Sequence, residues 1–229
     1  YESALDSALS PQRIGVITDG GRWPVDPECV AAVEFTANLL QEMGHGVTPT
    51  SSEVLLGGDS LVNGRLWMAG LARRVEALGE KAGRPLTADE VEPYNWTAAQ
   101  RGKDMPATEL VAAMDEQQLW VRAGIEWMST DFGLLVTPTS GAVPMRTEDL
   151  WPPEESPWKI GHVYGKIGAF TLPFNATGQP AISLPLFWTE EGLPVGVQIV
   201  ANMGREDLLI SVAKHLEDAA PWYHRYPAG

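Results

Sequence analysis

Cysteine is almost absent from this chain of 229 residues, with Cys29 as the single example. One cysteine excludes a framework of intrachain disulfides and is typical of proteins in a reducing compartment. No apolar run approaches the ~18–20 residues that a membrane-spanning helix requires. The chain also does not open on the pattern of a secretory signal peptide. Together these absences predict a cytoplasmic protein.

Positive charge is also scarce. The chain carries 16 Lys and Arg against 30 Asp and Glu, which gives a formal net charge of −14. A surface of that sign repels nucleic acid and anionic lipid, so we expect neither nucleic acid nor a membrane as a partner. The hydrophobic fraction of 44% and the charged fraction of 20% are those of an ordinary globular protein with a substantial core.

Several common catalytic and metal-binding motifs are missing as well. The four histidines lie far apart and no Cys-x-x-Cys spacing occurs, so we expect no metal ion. No Gly-x-Ser-x-Gly nucleophile elbow is present. The serines of Ser51–Ser52 and Gly57–Ser60 fit turns that lead into helices. The acidic pairs Glu154–Glu155 and Glu190–Glu191 fit solvated surface loops.

The most strongly patterned part of the chain is the stretch Phe170–Val200. Its residues 173–180 are rich in turn-forming and hydrogen-bonding types and predict a polar loop. Ala181–Trp188 predicts a buried strand, and Gly196–Val200 predicts its hairpin partner after a turn at Glu190–Gly192. Such a loop, placed directly before a core strand, usually positions a ligand or a neighbouring segment.

The amino-terminal part predicts a strand, a helix and a second strand. The strands are Arg13–Ile17 and His45–Thr48. Asp26 followed by Pro27 is a typical helix start, with a side-chain acceptor at the cap, and Gly44 ends that helix. This order indicates a parallel pair of strands in an α/β sheet.

Residues 53–106 are predicted to be mostly helical. Thr87 and Glu90 form a capping-box pair. A long helix is expected to follow Pro106, and a strand to follow at Leu134–Thr137. The first helical stripe consists of Trp67, Leu71, Val75 and Leu78, and the long helix carries Val111, Met114, Val121, Ile125 and Met128.

The loop 141–157 is rich in proline, tryptophan and acid. Trp151 and Trp158 flank its acidic part, where they either line the mouth of a site or simply anchor a surface loop. A helix is predicted around 158–169, with three glycines on one face that favour the close approach of a neighbouring backbone. A final helix opens at Glu206–Asp207, with Leu208, Leu209, Val212 and Leu216 facing inward.

Three segments carry a resemblance to a known family. They are FNATGQPAISLP at 174–185, GLPVGVQIV at 192–200 and DFGLLVTPT at 131–139. In this order, and following a RIGV-like strand, they resemble the carboxyl-terminal part of the amidase signature family of hydrolases. The resemblance implies an α/β fold, a twisted mixed β-sheet flanked by helices on both faces. It also implies that residues 1–229 are the carboxyl-terminal portion of a single amidase-signature domain.

The family resemblance implies a serine enzyme that hydrolyses the C–N bond of a small carboxylic amide without metal or cofactor. In the family, a Lys acting through a second Ser activates the nucleophilic Ser, and a Gly/Ser-rich loop forms the oxyanion hole. These residues precede the RIGV-like strand, yet only twelve residues precede Arg13 here. We therefore expect no catalytic residue in this chain, catalytic residues upstream of it, and no activity of the chain alone.

The resemblance places four residues of this chain near the substrate: Thr137, Pro138, Asn175 and Thr177. The alternative is that the same residues only satisfy backbone groups at a strand end and in a turn. Nine tryptophans and few cations near these positions favour a neutral or apolar acyl group.

Two other functions stay open from the sequence. The chain could be a non-catalytic subunit or scaffold that completes the sheet and pocket of a partner chain, or an independent small-molecule-binding domain of similar architecture. Half a sheet should expose a long edge. We therefore expect this chain to associate with the N-terminal half of the same protein or with a homo-oligomer partner.

Overall fold

The computed structural model of the chain describes residues 2–5, 9–56, 60–150 and 160–225, and for residues 60–62 it describes the backbone alone. The chain divides into two compact units. The first unit comprises Tyr1–Gly57, Val121–Arg146 and Tyr164–Gly229, and the second comprises Gly58–Trp120 and Thr147–Val163. Whether the chain is part of one larger domain stays a prediction.

The first unit contains a mixed β-sheet. Its strands are β1 (Arg13–Val16), β2 (Gly46–Pro49), β3 (Leu134–Pro138), β4 (Ala181–Trp188) and β5 (Pro194–Ala201). Across the sheet they follow the order β2-β1-β3-β5-β4. The pairs β1–β2 and β1–β3 are parallel, whereas β3–β5 and β4–β5 are antiparallel. The predicted α/β fold with a mixed sheet is confirmed.

The helices of the described residues are divided between the two units. They are α1 (Glu2–Leu5), α2 (Pro27–Glu42), α3 (Glu53–Leu56), α4 (Ser60–Ala82), α5 (Pro93–Lys103), α6 (Ala107–Asp131), α7 (Ile160–Gly168), α8 (Leu172–Thr177) and α9 (Glu206–Ala219). Short 3₁₀ turns lie at Ala88–Glu90 and Thr147–Leu150. Among these helices, none has the length and apolar character that crossing a bilayer requires.

Helices cover both faces of the sheet because strand side chains alternate between two apolar cores. On β3, Leu134 and Val136 enter a core formed with α2 and α9. The intervening Leu135 enters a second core that contains Met128 of α6 and Phe174 of α8. The predicted inward leucines and valine of α9 are all buried.

The amino-terminal strand–helix–strand prediction is confirmed, but the role given to Asp26 is wrong. Strands β1 and β2 are parallel, with Arg13 opposite Gly46, and α2 begins at Pro27 as expected. Asp26 occupies the cap position without a side-chain cap bond. Its carboxylate instead accepts hydrogen bonds from the Lys166 ammonium at 2.5 Å and the Val143 backbone N–H at 3.1 Å. A partner 140 residues away outcompetes the local cap.

Residues 53–106 are mostly helical as predicted, and Glu90 accepts from the Thr87 N–H at 3.0 Å. The predicted apolar stripe of α4 is not its buried face. Trp67 and Leu78 are 40% and 53% exposed, while Ala72 is buried. The small residues Ala98 and Ala99 of α5 are buried as well, and Trp67 stacks on Tyr94 of α5 with 5.5 Å between the ring centroids. In α6, Met128 is buried as expected, whereas Val111 and Met114 are exposed.

The loop predicted between residues 173 and 180 is partly helical, so this prediction is wrong. Leu172–Thr177 forms α8, with a proline in its first turn and Gly178 at its carboxyl end. The hairpin that follows is confirmed, with Ala181 opposite Val200. Proline and glycine mark the two boundaries of a short helix here rather than successive turns.

Several predictions fall on residues outside the described part of the chain. These residues are Gly57–Asp59, the side chain of Ser60, the acidic pair Glu154–Glu155, and the flanking tryptophans Trp151 and Trp158. The predicted helix around 158–169 is described as α7, from Ile160 to Gly168. Of its glycines, Gly165 meets a close neighbour, because a Cβ there would lie 2.3 Å from the Trp23 ring. The neighbour is a side chain, not the backbone that was predicted.

His45, between α2 and β2, is a buried histidine with a lowered pKa. Its Nδ1 accepts a hydrogen bond from the Gln12 backbone N–H at 3.1 Å. Its Nε2 is buried and has no hydrogen-bond partner among the described residues. Burial lowers the pKa of His45, and the nearby His215 lowers it further.

We expect His45 to make the chain less stable at mildly acidic pH. A histidine whose folded pKa lies below its unfolded value of about 6.5 stabilises the fold above that value. The contribution is lost as pH falls toward the lower folded pKa. Urea unfolding at pH 7.5 and 5.5 should show a smaller stability difference in His45→Asn than in the wild type. The exposed His224→Asn variant is the control and should retain the wild-type difference; an unchanged difference in His45→Asn contradicts the prediction.

Candidate functional site

The carboxyl end of β3 holds the first two predicted site residues, Thr137 and Pro138. Both are buried, and Thr137 is only 1% exposed. The Thr137 hydroxyl donates to the Pro138 carbonyl at 2.8 Å. These two residues therefore form the buried end of β3, and their side chains do not present polar groups directly to solvent.

Gln198 of β5 fixes this strand end to the segment that leads into α8. It pairs with Thr137 on one side and with Ser183 on the other. Its amide Nε2 donates to the Thr137 hydroxyl at 3.0 Å and to the Phe170 carbonyl at 2.9 Å. Gln198 is 4% exposed, so both bonds lie in the interior. The prediction of site residues missed Gln198, although a polar residue within the apolar run of β5 was a usable signal.

The other two predicted site residues, Asn175 and Thr177, lie on α8. Asn175 is exposed, and its backbone N–H donates to the Thr171 carbonyl. Thr177 is buried, and its hydroxyl accepts from the Gln179 N–H at 3.4 Å. Thr137 and Pro138 thus lie together at the strand end, while Asn175 and Thr177 share the helix. The connection through Gln198 reaches Phe170, just before α8.

Gln179 follows α8 and packs into the protein interior. Its Nε2 lies 2.9 Å from the Met128 sulfur, and its Oε1 is buried without a hydrogen-bond partner among the described residues. Gln179 therefore belongs to the packing beneath α8 rather than to an open surface. A buried polar atom costs stability unless it makes a hydrogen bond, and the Gln179 Oε1 makes none with the described residues.

Two hydroxyl groups meet just beyond the end of β3. Thr139 and Ser183 are 2.6 Å apart at their oxygens. They meet above Gly196 of β5, where an added Cβ would lie 2.8 Å from the Ser183 oxygen and 3.0 Å from the Thr139 oxygen. Ser183 is exposed and Thr139 is half-buried. This pair, which the prediction of site residues also missed, presents hydroxyl groups at the surface of the strand end.

An ion pair holds the loop that follows β3. Asp26 and Lys166 are joined at 2.5 Å, with each side chain about one-quarter exposed, at 28% and 26%. Gly141 lies between their segments: its carbonyl accepts from the Asp26 N–H at 2.9 Å, and its N–H donates to the Lys166 carbonyl at 3.1 Å. The loop from Thr139 is therefore tied to α2 and α7. The charge of Lys166 is balanced by Asp26 beside the site.

Ser51 and Ser52, two of the serines considered from the sequence, have structural partners. Ser51 accepts from the Glu53 N–H at 3.1 Å, and the Ser52 carbonyl accepts from the Leu55 N–H at 2.9 Å, so the predicted turn into a helix is confirmed. The Ser52 hydroxyl donates to the Asp19 carboxylate, which also accepts from the Gly21 N–H at 3.2 Å. Ser52 thereby links the ends of β1 and β2.

Other reactive groups do not add chemistry to this region. Burial, followed by the charges of Asp26 and Glu28, raises the pKa of Cys29 to about 11. The thiol therefore stays protonated at neutral pH, which makes it a poor nucleophile. In the part of the chain that the structure describes, no three His, Cys, Asp or Glu side chains form a group that could hold a metal ion. What the strand end offers is hydroxyl groups, which both donate to and accept from a neutral amide.

The three sequence segments that resemble the amidase signature family form β3, α8 and the β4–β5 hairpin of the mixed sheet. The family model described as Amidase matches residues 1–210. This chain belongs to the amidase family.

Two of the most similar individual relatives carry the name 6-aminohexanoate-cyclic-dimer hydrolase. The chain is 38% identical to the 6-aminohexanoate-cyclic-dimer hydrolase of Pseudomonas sp. (strain NK87), over 99% of this chain and 48% of that protein. It is 37% identical to the enzyme of the same name from Paenarthrobacter ureafaciens, with the same coverage. A solved structure of 6-aminohexanoate cyclic dimer hydrolase complexed with substrate matches 98% of this chain and 48% of its own, with a TM-score of 0.88 and 35% identity. The chain therefore spans about half the length of these relatives.

Proposed function

We propose that this chain is the carboxyl-terminal part of an amidase that hydrolyses the C–N bond of a small carboxylic amide. The observation that carries the proposal is the match itself, which takes in 99% of this chain but 48% of the cyclic-dimer hydrolases. A serine nucleophile, a second serine and a lysine upstream of Tyr1 perform the acyl transfer. The lysine acts as the base and backbone N–H groups stabilise the oxyanion.

In this proposal the chain supplies one wall of the substrate pocket. Thr137 and Pro138 set the position of the strand end, and Asn175 and Thr177 present the helix that faces the acyl group. The hydroxyls of Thr139 and Ser183 are 2.6 Å apart and suit the oxygen and N–H of a neutral amide. The pairing of Lys166 with Asp26 removes an uncompensated charge from the neighbourhood, which favours a neutral substrate over an anionic one.

The names of the two hydrolases make a cyclic amide of an ω-amino acid the first substrate to assay. Such a molecule has no free amino or carboxylate group, in agreement with a wall built from hydroxyl groups. Replacing the exposed Asn175 by alanine in the complete enzyme should raise KM and leave the melting temperature within about 2 °C of the parent. An unchanged KM removes Asn175 from the substrate-binding set.

The activity test compares two proteins from the same gene. We expect the product of the whole reading frame to hydrolyse the cyclic dimer of 6-aminohexanoate or a short linear amide. The 229-residue chain alone should show no turnover above the buffer. Product is measured as the amino group released on hydrolysis.

Two outcomes contradict the proposal. Turnover by the 229-residue chain that is abolished by Ser51→Ala, Ser52→Ala or Ser60→Ala places the nucleophile in this chain. A reading frame upstream of Tyr1 that lacks a lysine and a Gly/Ser-rich loop supports instead a non-catalytic subunit that completes a partner.

A further inference from the structure

The second compact unit contains a groove between α4 and α5 that the proposed function does not use. It has a volume of about 710 Å³, which lies within the range of ordinary small-molecule pockets. On α4 the lining residues recur at intervals of three and four between Ala72 and Glu80, and on α5 they do so between Trp96 and Lys103. One face of each helix therefore forms a wall of the groove, and residues 83–86 complete the lining.

Contacts within the unit hold these walls in place. Gly102 of α5 lies against the backbone of Met68, where a side chain would have no room. The Arg84 backbone N–H donates to the Gly79 carbonyl at 3.1 Å. The Arg84 guanidinium donates twice to the Glu90 carboxylate, at 2.7 and 2.8 Å. The groove is thus formed before a ligand arrives, which lowers the cost of binding.

Much of the lining is apolar. Ala72 and Ala99 are buried, while Val75, Leu86 and Trp96 are half-buried. The alanines leave space between the two helices, and the three larger side chains keep apolar surface in contact with water. A chain of methylene groups in the groove would remove that surface from water, which is favourable.

The two walls carry unpaired charges of opposite sign. On α5, the exposed Lys103 makes no ion pair or side-chain hydrogen bond with the described residues, and the same holds for the exposed Glu76 on α4. The other charged groups of the lining are already paired. Glu80 pairs with Arg73 at 3.3 Å, and Arg84 is held by the carboxylate described above.

This combination matches a ligand that carries one positive and one negative group on an apolar chain. A ligand with a single charge would leave either the lysine or the glutamate without a partner, and complementary charges of this kind select among ligands. We propose that the groove binds a linear ω-amino acid, with its carboxylate at Lys103, its ammonium group at Glu76 and its methylene groups along Trp96.

Such a ligand is also the product expected from the proposed reaction, and this part of the inference rests on the proposed function. When water hydrolyses a cyclic amide, the C–N bond breaks and a C–O bond forms. The nitrogen takes both protons of the water molecule, so the opened chain ends in an ammonium group and a carboxylate. The cyclic substrate carries neither charge, so the groove should bind the product and not the substrate.

The test is calorimetric titration of the 229-residue chain with 6-aminohexanoate. We expect binding about fivefold tighter than that of hexylamine or hexanoate, since an exposed ion pair contributes modestly. Glycine, which lacks the methylene chain, and the cyclic dimer, which lacks the charges, should bind more weakly still. In amide NMR spectra, 6-aminohexanoate should shift the signals of Gly79, Gly83 and Lys103 and leave Gly196 of β5 unchanged.

Two substitutions assign the ends of the ligand. Lys103→Met should weaken 6-aminohexanoate binding about fivefold and abolish its advantage over hexylamine, which has no carboxylate. Glu76→Gln should instead abolish its advantage over hexanoate, which has no ammonium group. Lys81→Met is the matched control, because Lys81 is exposed in the last turn of α4 and lies outside the lining. It should bind 6-aminohexanoate as the wild type does.

Several results would overturn the inference. They are the absence of detectable binding, equal affinity for 6-aminohexanoate, hexylamine and hexanoate, and an equal loss of affinity in Lys81→Met. NMR shifts centred on Gly196 would assign the ligand to the strand end instead. Binding in the groove by a chain whose whole reading frame hydrolyses no amide contradicts the proposed function, and it leaves the ω-amino acid site standing.

Discussion

The Gln198→Glu chain is expected to lose about 3–5 kcal/mol of unfolding free energy at pH 7, the loss typical of a buried charge without a partner. The Gln198 amide donates to two acceptors, the Thr137 hydroxyl at 3.0 Å and the Phe170 carbonyl at 2.9 Å. A carboxylate of nearly the same shape has no hydrogen to donate. The Phe170 carbonyl oxygen would then face a negative charge in the interior, and the Thr137 hydroxyl could donate to that charge only by giving up its hydrogen bond to the Pro138 carbonyl. Urea unfolding followed by circular dichroism measures the loss.

The pH dependence of this variant distinguishes a buried charge from general damage to packing. Burial beside two acceptors should raise the folded pKa of the introduced carboxyl group above its unfolded value of about 4.3. The folded state then binds the proton more tightly, so the variant's deficit should shrink as pH falls through the raised pKa. Gln41→Glu, at an exposed position of α2, is the matched control and should stay within about 0.5 kcal/mol of the wild type. A deficit at position 198 that does not change with pH contradicts the mechanism.

The second large effect is expected in the second compact unit, where α5 approaches the backbone of α4. A Cβ added at Gly102 would lie 2.0 Å from the Met68 carbonyl oxygen and 2.3 Å from its carbon. Neither atom can turn aside as a flexible side chain would, so the helices would have to separate. Gly102→Ala should therefore lower the free energy of unfolding by about 3 kcal/mol.

The same helix pair offers a control of opposite sign. Gly70 lies within α4, and a Cβ added there would have no neighbour within 4 Å. Gly70→Ala should therefore stabilise the chain by about 1 kcal/mol, because alanine loses less backbone entropy than glycine in a helix. Urea unfolding of the two variants should move the transition in opposite directions. Stabilisation by Gly102→Ala as well would show that Gly102 does not mark a close contact.

The elements that the sequence predicts well are those specified by nearby residues. The β4–β5 hairpin follows from two apolar runs around a turn, and the parallel pair β1–β2 follows from strands separated by a helix with clear ends. All four residues of α9 that were predicted to face inward are buried, because its apolar spacing and acidic first turn agree; the buried Ser211 was not predicted. The family could be recognised for the same reason, since its motifs are local runs.

The functional region was predicted less well because long-range partners determine it. Gln198 binds residues 61 and 28 positions away, and no local pattern identifies those partners. Thr139 and Ser183, which meet at 2.6 Å, are 44 positions apart. The helix α8 was missed for a different reason, since proline, asparagine and glycine are common both in turns and at helix ends. Whether Thr137, Pro138, Asn175 and Thr177 contact a substrate stays a prediction.

Gly196 has a consequence for how this strand end can be altered. Its missing side chain is what allows the hydroxyls of Thr139 and Ser183 to touch across the strand between them. An alanine at 196 would push the two hydroxyls apart and remove neither. A residue that itself carries no functional group therefore controls whether these two hydroxyls touch, and neither hydroxyl has to be removed to separate them.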